Sequence, residues 1–261
     1  MLSLGNSLSK KTGVVAPGVI RDNLVMEHKY PVGAVQPLSD GAAYFNGSSE
    51  IATTCPGSNL EDAVTVSAWI KILDDHNSYR SILGISDGSH DLWDFQIIAS
   101  SSGSAPNTPS LAQGGDSGAT DWTTAVASQA LAADGWMHLA VTTIDGAQVI
   151  YKNGAVLALQ TGGTRSEGLD FSGNVHIGSV DGTHYFRGWM CNVGLWTRVL
   201  TQAEIKSVMW KQYADLSTSE KTNITAWWNL DAQVGSDGNA GTGYVLDENA
   251  GAGSTTNLGT L

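Results

Sequence analysis

The sequence predicts an all-β protein: a two-sheet antiparallel jelly-roll sandwich with one short helix after the late strand and an extended N-terminal arm. Three observations carry this. Apolar and polar residues alternate with a period of two in one short run after another from residue 41 onward. Turn-forming residues separate the runs, with 31 Gly in the chain and only 15% charged residues. Helical periodicity is confined to one stretch near residue 200. With 261 residues and 41% hydrophobic content, the chain can bury a full core without disulfide staples.

Residues 1–39 are punctuated by Pro17, Pro31 and Pro37 and show little periodicity, so they read as an arm. Residues 40–261 read as one jelly roll that includes a closing segment, 222–261. "AAYFNGSSEIATT" is strand, turn, strand. "VTVSAWIKI" alternates cleanly, with Val64, Val66, Ala68 and Ile70 on one face and Thr65, Ser67, Trp69 and Lys71 on the other. "YRSILGIS", "LWDFQIIAS", "GWMHLAVTTI", "NVHIGSV" and "GWMCNVGLW" are further strands. In the last of these, Trp189, Cys191, Val193 and Leu195 are expected on one face and Met190 on the other. "QVIYKNGAVLAL" places Asn153-Gly154 between two apolar runs, a strong hairpin signal. Residues 100–121 are rich in Ser, Gly and Pro and are expected to form a long exposed loop. Thr201 and Glu204 make a capping box ahead of an apolar stripe at Ile205, Val208 and Met209, and Ser217 and Glu220 make a second box. "ITAWWNLD" returns to strand.

The formal net charge of −12, with no basic run, disfavours nucleic acid and anionic membranes as partners. No segment approaches the ~20 apolar residues of a membrane span. The N-terminus lacks the apolar core of a secretory signal. Cys55 and Cys191 form no metal or disulfide pattern and are expected to be reduced, buried thiols.

Several segments together resemble the LamG-like jelly roll of the concanavalin A-like lectin/glucanase superfamily: "AAYFNGSSEI", "VTVSAWIK", "GWMHLAVT", "VIYKNGAVL", "VHIGS" and "FRGWMCNVGLWTRVLTQAEI", in the family's order over most of 41–210. The leader "PGVIRDNLVMEHKYPVGAVQPLSDGAAYFNG" resembles the segment before such jelly rolls in structural proteins of marine tailed bacteriophages. The resemblance implies a non-enzymatic virion component of capsid, tail or fibre, made in the bacterial cytoplasm without a signal peptide. Its arm would contact other virion proteins or copies of itself. The alternative is a carbohydrate-binding adhesin or lectin. A glycoside hydrolase ranks third, because no strand carries the family's E-x-D-x-x-E pair of carboxylates.

The resemblance also implies a calcium ion near the turn after the first strand and the late strand. Calcium takes several oxygen ligands, carboxylates among them. Here the turn is Phe45-Asn46-Gly47, and the late-strand acidic positions hold Cys191 and Asn192. The ligand set reduces to Asp40, Asn46 and Asn192, short of charge. The expected outcome is an Asx-type turn at Asn46, a packed Cys191, and no cofactor beyond that weak calcium candidate.

"GISDG" (84–88) matches the hydrolase elbow G-x-S-x-G, but a strand follows where a helix is required. "GGDSGAT" lies in the low-complexity stretch. Asp91 and Asp94 are expected on opposite faces of one strand. Sugar recognition pairs aromatic platforms with amide and carboxylate groups. On that ground His76, Asn77 and Tyr79 in "DDHNSYR", and His90 and Trp93 in "SHDLWD", are the glycan-binding candidates. The two loops bracket one strand and so lie at opposite ends of it. "GSVDGTHYF" is a turn at Asp181-Gly182 with His184 beside it.

Overall fold

The structure is a computed structural model. It describes residues 37, 39, 41–48, 50–54, 63–73, 77–86, 91–101, 105–114, 123–133, 135–144, 147–161, 174–180, 182–230, 244–246 and 255–257. The N-terminal arm, save Pro37 and Ser39, lies outside them, as do Cys55 and the "GGDSGAT" segment beyond Gly114.

The strands in chain order are β1 (Ala43–Asn46), β2 (Ile51–Thr54), β3 (Ala63–Ile72), β4 (Arg80–Ser86), β5 (Asp91–Ile97), β6 (Pro109–Gln113), β7 (Thr123–Ala127), β8 (Trp136–Ile144), β9 (Ala147–Lys152), β10 (Ala155–Val156), β11 (Leu159–Thr161), β12 (Asn174–Ile177), β13 (Arg187–Trp196), β14 (Ile224–Trp228), β15 (Tyr244–Leu246) and β16 (Thr255–Asn257). The helix α1 (Gln202–Val208) follows β13. One sheet runs β1-β13-β3-β8-β9-β10, with β14 also on β13; a second runs β11-β7-β6-β5-β4-β12-β2; β15 and β16 pair separately. All pairings are antiparallel. The expected sandwich of two antiparallel sheets is therefore present.

The core forms where the alternating apolar sets of the two sheets meet. Val64, Val66, Ala68 and Ile70 of β3 face Leu83, Ile85, Trp93 and Phe95 of β4 and β5 in one buried cluster. Asn153 and Gly154 both take positive φ (50° and 75°), as the tight β9–β10 turn requires. The strands either side of the first turn join different sheets, β1 pairing with β13 and β2 with β12.

The stretch 100–121 departs from expectation. Its residues Pro109–Gln113 form β6, fully buried between β5 and β7. Neighbours on both sides supply its hydrogen bonds, so a Ser/Pro-rich composition does not prevent a strand there. The alternation expected along β13 also fails in its second half. Trp189 and Cys191 face outward, while Met190, Val193 and Leu195 all join the core. Asn192 takes φ 50° within a register shift between Cys191 and Gly194, and this inserted residue reverses the phase. β1 and β14 lie end to end along one edge of β13, and Asn192 N–H donates to the Asn229 carbonyl (3.0 Å) beyond the end of β14.

On the outer face of the first sheet, Trp196, Trp227, Leu200, Ile205 and Val208 make a second apolar cluster under α1. The capping box is complete: Glu204 N–H donates to Thr201 Oγ1, and Thr201 N–H donates to the Glu204 carboxylate. The second box closes one turn, with Ser217 N–H and Oγ both donating to Glu220. Burial raises the Glu220 carboxyl, but the Lys211 ammonium and the Ser207 and Ser217 donors outweigh this and hold it at about 2. No helix among the described residues is long and apolar enough to cross a membrane.

Candidate functional site

The structure scatters the residues nominated from the sequence. Trp93 is fully buried on the inner side of β5, opposite Ile85, so it belongs to the core and offers no sugar platform. The period of two explains this: Trp93, Phe95 and Ile97 point in, and Asp94 and Gln96 point out. His76, His90 and Asp40 lie outside the described residues. Asn77 and Tyr79 sit before β4, at the end where Arg80 pairs with Ile97; Ser86 pairs with Asp91 at the other end.

The calcium candidates do not converge. Asn46 Oδ1 accepts from the N–H and the Oγ of Ser48, both at 2.8 Å, which is the expected Asx-type turn. Asn46 pairs with Arg187, five residues along β13 from Asn192, so the two amides stand roughly 15 Å apart. Cys191 is fully buried against Trp69 and Met209. Among the described residues no three His, Cys, Asp or Glu side chains gather at one point.

What the fold does assemble lies on the outer face of the second sheet. One cross-strand row there reads Ala52, His176, Gly84, Asp94, Ala112, Thr124; the next reads Ser81, Gln96, Ser110, Val126. The 179–185 turn lies on this face over Gly84. A Cβ at Gly84 would come within 2.6 Å of Val180 Cβ and 2.7 Å of the Ser179 carbonyl oxygen, so glycine is what lets the turn seat. Val180 and Thr183 exchange backbone hydrogen bonds to close it. On one flank the Glu50 carboxylate holds it, accepting from Ser179 Oγ and from Gly182 N–H (3.3 Å) and meeting His176 Nδ1 (3.2 Å). The hydrogen bond from His176 chiefly holds the Glu50 carboxyl below its ordinary range, against the opposing effect of burial.

On the other flank His184 takes φ 51°, an allowed but sparse left-handed conformation. This lets its carbonyl accept from Ser81 N–H (2.6 Å) while its Nδ1 meets Asp94 Oδ2 at 3.3 Å. The His184 ring lies 5.1 Å from that of Tyr79, tilted by 38°, and Tyr79 is 38% exposed. Asn77 is tied in by Ser100 Oγ, which donates to its Oδ1 (2.9 Å), and by Ser101 Oγ, which donates to its carbonyl (3.2 Å). Below this rim the floor is polar and short of partners. Asp94 Oδ1, Gln96 Oε1, Ser81 Oγ and Ser110 Oγ are all buried and have no hydrogen-bond partner among the described residues. Buried polar atoms left in this state cost roughly 1–3 kcal/mol each. Sequence reasoning nominated Asn77 and Tyr79 on this face but not Asp94, Gln96 or His184. Outward polar positions on a central strand were the available signal.

The family model described as the concanavalin A-like lectin/glucanases superfamily (Laminin_G_3) matches residues 45–206, more than half of the chain. The chain belongs to this family. No curated protein matches the Laminin_G_3 chain significantly in sequence. Among solved structures it is similar to a candidate carbohydrate-binding protein from Bacteroides ovatus (TM-score 0.59, 20% identity, covering 84% of this chain and 59% of that one). It is also similar to the Ruminococcus gnavus IT-sialidase CBM40 bound to α2,3-sialyllactose (0.51, 14%, 65% and 96%) and to domain 4 of AbnA, a GH43 extracellular arabinanase from Geobacillus stearothermophilus, in complex with arabinotriose (0.50, 18%, 64% and 76%). At these identities the likeness is one of fold. The chain thus spans under two thirds of the Bacteroides protein's length.

Proposed function

We propose that this Laminin_G_3 jelly roll is a lectin-like module that binds glycans without cleaving them. The observation that carries the reading is the Tyr79–His184 ring pair at the rim of this face, with His184 Nδ1 held by Asp94 Oδ2 and Asn77 beside it. A pyranose laid on Tyr79 has an apolar face for the ring and hydroxyl groups for the polar side chains of Asn77 and His184 beside it. Similarity in fold to structures holding arabinotriose and sialyllactose supports the same reading. The layout of the described acids supports binding without hydrolysis. Glu50 and Asp94 stand on opposite flanks of the 179–185 turn, with buried Val180 between them over Gly84. They do not flank an open gap in which a glycosidic bond could sit between acid and base.

For the setting of the module we infer a bacteriophage particle. This rests on the leader sequence, most of which lies outside the described residues, and on the arm as the surface that docks on neighbouring subunits or on further copies of the chain.

A glycan array followed by calorimetry on the strongest hit tests the binding site. Tyr79→Ala and Asp94→Asn, with melting temperatures near that of the unaltered protein, should each weaken binding at least tenfold. Undiminished binding by both would refute the assignment, and glycan cleavage by the unaltered chain would refute the non-catalytic reading.

A further inference from the structure

The outer face of the first sheet carries a second feature, remote in sequence from the Tyr79 site. Four outward positions stand abreast on four adjacent strands. Tyr44 of β1 pairs with Trp189 of β13, Trp189 with Lys71 of β3, and Lys71 with Trp136 of β8. Their chain neighbours Phe45, Met190, Ile70, Ile72 and Met137 are all in the core, so the period of two turns this row outward.

Among the described residues the cover over this face ends just before the row. α1 and its apolar cluster shield the sheet as far as Trp69, whose indole N–H donates to the Met209 carbonyl (2.6 Å) at the helix end. One pleat further on, Tyr44, Lys71, Trp136 and Trp189 all remain partly exposed. Trp210 extends the edge of the patch: its ring lies 5.6 Å from that of Trp69, and it is 48% exposed.

Within the row the Tyr44 and Trp189 rings are 5.1 Å apart, and Lys71 Nζ lies 5.2 Å from the Trp189 ring centroid. Lys71 forms no ion pair among the described residues, and its ammonium lies against the Trp189 ring. Adjacent strands are about 4.8 Å apart, so Trp189 and Trp136 stand about 10 Å apart with the ammonium between them, the span of two linked sugar rings. An aromatic face, a lone cation and a second aromatic face in a line call for a ligand that alternates apolar ring faces with anionic groups. A chain of uronic acid residues has this chemistry: each pyranose has a C–H face for an indole and a carboxylate for the ammonium.

The geometry points to a binding platform for uronic acid polysaccharides on Tyr44, Trp189, Lys71 and Trp136. It is a separate site from the one at Tyr79 and stands independently of it.

The test titrates the full chain with a short polygalacturonate and, in parallel, with the same oligosaccharide as its methyl ester, by calorimetry. The acid form should bind at least tenfold more tightly than the ester. Lys71→Met should abolish that preference, and Trp189→Ala and Trp136→Ala should each weaken binding of the acid form at least tenfold. Lys221→Met, which removes a cation lying 4.3 Å from the Tyr213 ring elsewhere, should leave it unchanged. All four positions carry partly exposed side chains, and melting temperatures check that each variant is folded. No binding of the acid form, equal binding of acid and ester, or full binding by Lys71→Met would overturn the proposal. A chain that binds array glycans through Tyr79 but ignores polygalacturonate would overturn it and leave the first site standing.

Discussion

His138 should make this protein lose stability as pH falls from 7 to 5. The side chain lies on β8 opposite Trp69, with ring centroids 5.6 Å apart, and is 1% exposed. Its Nδ1 has no hydrogen-bond partner among the described residues, and burial pushes its pKa down from 6.5 to about 3. The folded imidazole therefore stays neutral where the unfolded one takes up a proton. A lowered folded value gives stability that is complete above the unfolded pKa of 6.5 and is lost progressively as pH falls toward 3. Between pH 7 and pH 5 the loss integrates to about 2 kcal/mol. For a domain of this size that lowers the melting temperature by about 4–8 °C. Glu50, Glu204 and Glu220 are also held below 4.5, so their share of the acid loss begins beneath this window. Thermal melts at pH 7, 6 and 5 on the unaltered chain and on His138→Gln isolate the effect. The variant's absolute stability is immaterial, and the His176 and His184 pairs are common to both proteins and cancel. The pH slope should flatten in the variant. Parallel slopes would refute the reasoning.

Gly84→Ala should lift the 179–185 turn, because the new methyl meets Val180 and the Ser179 carbonyl below 3 Å. A destabilisation of about 1–3 kcal/mol is expected, together with weaker glycan binding at Tyr79 and His184; a melting temperature within 1 °C of the unaltered protein would contradict the seating described. Deleting residues 1–39 should leave the jelly roll folded and lower the number of copies per particle measured by light scattering, as expected if the arm joins copies; an unchanged copy number would exclude that role.

Much of the fold was legible because its determinants are local. The alternation in β3, the Asn153-Gly154 turn and the Thr201–Glu204 box each involve residues a few positions apart, and each element appears where its pattern lies. β6 was hidden because the strands on either side of it, rather than its own composition, hold it in the sheet. Trp93 was misplaced because a loop-flanking aromatic looks the same in one dimension whether its strand turns it in or out. The bulge at Asn192 was hidden because β1 and β14 meet there along a shared edge.

By itself the sequence determined the class of fold, the inward and outward sets of its regular strands, the helix with its cap, and the shortage of charge at the implied calcium position. The tertiary structure alone decided what faces what. Asp94 meets His184 across 90 residues of chain, and Tyr44, Trp189, Lys71 and Trp136 stand abreast only because of the register of four strands. Local spacing fixes which side of a strand a residue occupies, but the distance between strands remote in sequence is set by pairing and packing, and binding chemistry depends on that distance.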